Sequence, residues 1–438
     1  MNIKFETIRS NKYRILFFGG VVCVVILLVA IVLNVTRAKY RTAQSMPLYN
    51  ATVNYSLTDL NIVAIYVGGE AVDSLDSSKQ YTLDTTQSTC TYKDGSTIEE
   101  LNISYETETG SLSISPFTTK GTKCTLYFDK YVEPITIQDI LAGKTISTRS
   151  SFSSTLTTNT TGTIYQAQDD DGTTYYFAGN PSDNWVSFAG FYWRIIRING
   201  DGSIRMIYAG TDPTVTTGSG TQITVDGSNT FAFNSTRNDN MYVGYMYASN
   251  QVHGLVENST IKGVLDGWYK TNIQDEGYSS YIDINAGFCN DRTPSSGTGT
   301  GTTYTEYGPY NRLYNTGTPT FGCDNDSDLY TVGASNKGNK ALTYPVGLIT
   351  MDEVWYAGGY TSSNSSYYLY TNQYYRTMSP YFFDGFYAGV FSVSSTGIPG
   401  YTDVDWTGSG VRPAINLRAD TEFTGTGTSD DPYTVVYD

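Results

Sequence analysis

Histidine is almost missing from this 438-residue chain, which has one, His253, and five cysteines. One imidazole cannot build a metal cluster or a histidine acid/base pair, so no metal, no cofactor and no catalytic residue is expected. Basic residues are also scarce, 27 Lys and Arg against 42 Asp and Glu, for a formal net charge of -15. Residues 1–34 carry Lys4, Arg9, Lys12 and Arg14 against Glu6, a net of +3, which leaves -18 on the remainder. A field of that sign disfavours nucleic acid and anionic surfaces as partners.

Long apolar runs are absent apart from 15–33, which contains no charge. As a helix rising about 1.5 Å per residue it crosses most of a hydrocarbon core of roughly 30 Å. No A-x-A cleavage pattern follows Leu33, so the segment reads as a retained span. Cys23 follows Val21 and Val22, not the small residues of a lipoprotein signal, and reads as apolar filler. The flanking charges do not set a direction, since Arg37, Lys39 and Arg41 follow the span. The four remaining cysteines and the abundance of Thr, Ser, Gly, Asn and Tyr point to an oxidising setting. The chain is therefore expected in the cell membrane as a single-pass protein, with its N-terminus cytoplasmic and its C-terminal ectodomain outside.

The sequence divides into a tail at 1–14, a transmembrane helix at 15–34, a stalk at 35–49, a β-sandwich (Ig-like) domain at 50–135 and a Ser/Thr-rich linker at 136–162. A larger domain follows at 163–419, with a closing strand in 420–438. In the sandwich, strands are expected at 61–67, 80–83, 111–113 and 123–128, with turns at Gly68-Gly69, Asp94-Gly95 and 119–121. Cys90 and Cys124 are the two cysteines there and are read as a disulfide, against two buried thiols as the alternative. In the larger domain 193–198 alternates Trp193, Ile195 and Arg197 with Arg194, Ile196 and Ile198, a strand signal, and Asn199-Gly200-Asp201-Gly202 is a hairpin turn. Ile261, Val264, Leu265, Trp268 and Tyr269 recur at helical spacing behind the capping candidates Asn258 and Ser259, and Thr350 with Glu353 forms a capping box. Between these helices a Gly/Thr/Ser/Asn-rich stretch, 287–339, is long enough to need a staple, for which Cys289 and Cys323 are available.

The pieces 188–194 (FAGFYWR), 344–348 (YPVGL), 376–380 (RTMSP) and 410–417 (GVRPAINL) resemble an uncharacterised domain found in surface proteins of gut Firmicutes. Segments 59–64 (DLNIVA) and 121–124 (GTKC) resemble the leader domain that precedes it. By order of elements the domain is similar to α+β folds of the C-type lectin-like and formylglycine-generating-enzyme-like kind. That resemblance implies a ligand-binding surface in the segment between the middle and final strands, at 381–387 and 400–406 here. The formylglycine activity is not carried over, because the cysteine pairs read as structural.

Tyr is the informative excess, 39 in the whole chain. It offers contact area at low entropic cost together with a hydroxyl. The candidate ligand-binding residues are Tyr381, Phe383, Asp384, Tyr387, Asp403, Asp405 and Trp406, with Met378, Phe391 and Val393 expected inside. Asp324, Asp326 and Asp328 begin like a calcium loop but lack its turn glycine and closing glutamate, so they read as solvated acids, and Asp169 to Asp171 as a hairpin turn. The expectation is a surface binding or adhesion protein whose extracellular ligand is a glycan or a protein. Its competitors are a self-associating structural envelope protein and, using Asp403 and Asp405, a glycan-acting hydrolase.

Overall fold

A computed structural model describes residues 60–115, 121–333 and 337–437. The expected tail, transmembrane helix and stalk lie outside the described residues. Among the described residues no helix is long and apolar enough to cross a membrane. The chain is mostly β-sheet with few helices and divides into two compact units, the first ending at Glu133 and the second beginning at Pro134.

Seven strands build the first unit: β1 (Leu60–Val67), β2 (Glu70–Val72), β3 (Tyr81–Leu83), β4 (Thr89–Tyr92), β5 (Asn102–Glu106), β6 (Ser111–Ser115) and β7 (Thr122–Lys130). Gly68 and Gly69 both have positive φ, the conformation a tight hairpin between β1 and β2 requires. The main sheet runs β2-β1-β7-β3, with β4 also on β7, and β5 and β6 form a separate hairpin. β1 and β7 are parallel, while the other pairs are antiparallel. Ile103, Leu112 and Ile114 of the hairpin share one core with Ile65, Leu126 and Phe128 of the sheet, so the unit is two β layers closed on apolar side chains. Cys90 and Cys124 face each other across β4 and β7 and form a disulfide.

The second unit opens with helix α1 (Ile137–Ala142), then β8 (Thr145–Ser147), β9 (Thr163–Asp169), β10 (Gly172–Tyr176), β11 (Trp185–Phe188), β12 (Phe191–Ile198), β13 (Ile204–Gly210) and helix α2 (Thr260–Tyr269). It continues with β14 (Pro294–Ser296), β15 (Thr305–Tyr307), helix α3 (Met351–Tyr356), β16 (Tyr375–Phe383), β17 (Ala388–Val393), β18 (Pro399–Asp403), β19 (Ala414–Leu417), β20 (Phe423–Thr424) and β21 (Tyr433–Val435). The largest sheet runs β20-β21-β11-β12-β10-β9-β8, with β13 joining β12 to β19, and a five-stranded sheet runs β14-β15-β16-β17-β18. A single core spans both, from Trp193, Ile195 and Met206 to Trp355, Met378, Phe391 and Val393. Alternation identified β12 as a strand, but both of its faces are covered: Trp193 meets Trp268 of α2 at 6.1 Å, and the Arg194 guanidinium lies over Trp185 at 4.3 Å. Ser259 caps α2, and Thr350 and Glu353 close the capping box of α3.

The stretch 136–162 is not a free linker. Thr136 and Asp139 form a capping box for α1, which buries Ile137, Ile140 and Leu141 in the second unit's core. Farther along, Arg149 Nη1 donates to the Tyr356 carbonyl at 2.6 Å, and the Phe152 carbonyl accepts from Trp355 Nε1 at 3.1 Å. Polar composition hid this, because beyond α1 the segment docks through hydrogen bonds to its neighbours.

The irregular stretch after α2 is stapled by the Cys289–Cys323 disulfide. Asp328, expected to be solvated, is buried: its Oδ1 accepts from Arg292 Nε at 2.8 Å, its Oδ2 from the Arg292 amide at 2.7 Å, and His253 Nδ1 sits 2.9 Å from Oδ2. The Asp169 to Asp171 segment makes the expected turn between β9 and β10, with Asp169 Oδ1 accepting from the Asp171 and Gly172 amides.

A candidate ligand surface at the β17–β18 edge

β18 is the outer strand of its sheet, and the chain leaving it carries Asp403, Asp405 and Trp406. The turn from β16 to β17 brings Asp384, Phe386 and Tyr387 to the same end, since Gly389 of β17 is paired with Asp403 of β18. Asp384 shapes that turn, its Oδ1 accepting from the Phe386 amide at 2.8 Å and the Tyr387 amide at 2.7 Å. Phe386 is thereby 72 % exposed and Tyr387 42 % exposed.

Arg237 ties the two segments together. Its carbonyl accepts from the Ala388 amide at 2.7 Å, and its guanidinium lies 4.0 Å from the Tyr387 ring centroid. Its Nη1 lies 3.3 Å from Asp403 Oδ2 and 3.2 Å from Asp405 Oδ1. One guanidinium thus serves two carboxylates. Burial pushes the Asp403 carboxyl above its ordinary range; Arg237 opposes the shift, and Asp405 and Asp384 reinforce it.

Beneath this surface Arg376 of β16 is fully buried and holds the loop's backbone, donating to Thr402 Oγ1, to the Asp403 carbonyl at 3.2 Å and to the Trp406 carbonyl. Burial lowers its pKa to about 9, with Asp403 and Asp405 opposing. Trp406 packs its edge on Tyr374 at 5.1 Å, and both remain partly exposed, as does Tyr401.

The candidate residues therefore separate into two groups. Asp384, Tyr387, Asp403, Asp405 and Trp406 come together at the surface. Tyr381 and Phe383 do not, because both faces of β16 are covered: Phe383 is inaccessible, and Tyr381 stacks under Tyr401 at 4.5 Å and meets Phe391 edge-on at 4.7 Å. Met378, Phe391 and Val393 are buried as expected. Sequence reasoning missed Arg237, which lies in a polar stretch with no periodicity, and missed the exposure of Phe386, Tyr374 and Tyr401. The Asp-Gly-Phe-Tyr sequence at 384–387 is the one local signal that a turn would push aromatic rings outward.

No protein-family model matches the chain, and no curated protein or solved structure matches it either.

Proposed function

We propose that the chain is a membrane-anchored cell-surface binding or adhesion protein whose second unit, resembling C-type lectin-like domains, grips an extracellular glycan or protein through the Phe386–Tyr387–Trp406 surface. The anchor is the uncharged run 15–33. The observation that carries the binding reading is the set of large exposed rings, Phe386, Tyr387, Trp406, Tyr374 and Tyr401, grouped around Arg237, Asp403 and Asp405. Leaving several aromatic rings in water at one place forgoes the burial that favours folding, and such patches mark interaction sites. Aromatic faces beside carboxylates and a guanidinium suit either a sugar ring with its hydroxyls or a peptide with mixed side chains.

The test is a glycan and host-protein binding screen on the purified chain, followed by Phe386→Ser, Tyr387→Ser and Trp406→Ser together. All three side chains are partly exposed, so folding should survive. A ligand found in the screen should bind at least about tenfold more weakly to the triple variant, the loss expected when two or three ring contacts go. Unchanged affinity would place the binding surface elsewhere.

A further inference from the structure

The second unit contains a buried amine and carboxyl in direct contact. Lys144, just after α1, and Asp183, just before β11, have side chains only 7 % and 8 % exposed, with Nζ 2.5 Å from Oδ2. The Phe177 and Tyr433 ring centroids lie 5.9 and 5.8 Å from the ammonium. The Gly162 amide donates to Asp183 Oδ2 at 2.7 Å. Asp183 Oδ1 is buried and has no hydrogen-bond partner among the described residues.

An ion pair this dry is poorly compensated, since leaving one carboxylate oxygen unsolvated costs free energy that a neutral species would not incur. We propose that Lys144 and Asp183 condense into an isopeptide bond that ties the opening of the second unit to its main sheet. Proton transfer from the ammonium to the carboxylate gives a neutral amine and a carboxylic acid. The amine lone pair attacks Cγ and forms the C–N bond. Oδ2, protonated by the ammonium and held by the Gly162 N–H, becomes the leaving hydroxyl, while the negative charge develops on Oδ1, which becomes the amide oxygen. The Cγ–Oδ2 bond then breaks, and Oδ2 departs as water with the proton it took from the ammonium and a second passed directly from the adjacent amine nitrogen. Redox state is unchanged, and no co-reactant is consumed.

Four other lysine pairs sharpen the assignment. Lys79 with Asp76, Lys270 with Asp275 and Lys337 with Asp171 are each about half exposed, where water solvates both charges. Lys262 with Asp266 is buried, at 2.6 Å, but joins residues one helical turn apart.

Intact-mass spectrometry of the purified full chain, reduced and alkylated, decides the matter. The expected mass is about 18 Da, one water, below that calculated for the reduced and alkylated sequence, a covalent change of the kind that alters a folded chain without altering its sequence. Proteolysis should release a branched peptide joining Lys144 to Asp183. Lys144→Arg and Asp183→Ala should each restore the full mass, a readout that does not depend on either variant folding. A wild-type chain of full mass, a cross-link mapped to Lys262 and Asp266 instead, or a water loss that persists in Asp183→Ala would each overturn the proposal.

Discussion

Tyrosine does two different jobs in the second unit. At the surface it is a contact residue; inside, its hydroxyl reaches past the apolar packing to hold loop carbonyls. Tyr245 donates to Val346, Tyr314 to Pro399, Tyr356 to Pro319 and Tyr375 to Leu369, at 2.8–3.2 Å. A phenylalanine core would leave those carbonyls unsatisfied. Burial pushes the hydroxyls of Tyr208, Tyr269, Tyr314, Tyr330, Tyr356 and Tyr375 up to about 12, from an ordinary value of 10.0. Below pH 10 folded and unfolded chains both keep these protons. As pH rises from about 10 towards about 12 the unfolded chain loses them while the folded chain retains them, so the folded state binds more protons and stability falls through that window. The urea midpoint should be lower at pH 11 than at pH 9, with the phenolate absorbance of the buried set appearing together with unfolding. A full phenolate signal from the still-folded protein at pH 11 would contradict this. The same double use explains why the aromatic excess could be read from composition while its division into core and surface could not. Tyr387 follows the Asp384-Gly385 turn signal, whereas nothing local marks Tyr381 as buried; the covering of both β16 faces does that.

Among the elements, α3 was the most readable and has the widest consequences. Thr350 Oγ1 accepts from the Glu353 amide at 3.1 Å, and Glu353 Oε2 accepts from the Thr350 amide at 2.8 Å, the box expected from the sequence. The second role of Glu353 has no sequence signature. Its Oε1 lies 2.5 Å from Arg205 Nε and 3.2 Å from Arg197 Nε, on strands more than a hundred residues earlier. Thr350→Ala should therefore cost about 1 kcal/mol, as a lost cap does. Glu353→Gln should cost about 3–5 kcal/mol, because it removes the carboxylate paired with the buried Arg205 guanidinium, while Arg197 keeps Asp169 at 2.7 Å. Equal shifts in denaturation midpoint would mean that the capping box is all that Glu353 supplies. The GVRP segment has a similar hidden basis: Arg412 is buried, donates to the Tyr208 carbonyl at 2.9 Å and the Leu369 carbonyl at 3.2 Å, and lies over the Tyr375 ring. Helix periods and caps depend on neighbours within a few residues, so they can be read from a sequence. Pairings such as Arg237 with Asp403, and the docking of 136–162, depend on chain folded back from far away.

On the scale of the whole molecule, the two units rest on cores of very different size. Among the described residues the first closes nine buried apolar side chains around one disulfide, whereas the second closes a core several times larger. Each disulfide closes a loop of the same sequence separation, 34, so each constrains the unfolded chain similarly, by about 2–4 kcal/mol. Replacing Cys90 and Cys124 with Ala should consequently remove a large share of the first unit's stability, while replacing Cys289 and Cys323 should leave the second folded. Limited proteolysis of the two double variants reads this directly: cuts should appear before Glu133 in the former and not in the latter. The parallel pairing of β1 with β7 has a mechanical consequence. The chain enters the first unit at the start of β1 and leaves at the end of β7, so tension between those ends pulls two hydrogen-bonded neighbours in opposite directions along their length. Every rung from Leu60–Thr122 to Val67–Phe128 is then loaded at once, in shear, and none can be peeled open before the others.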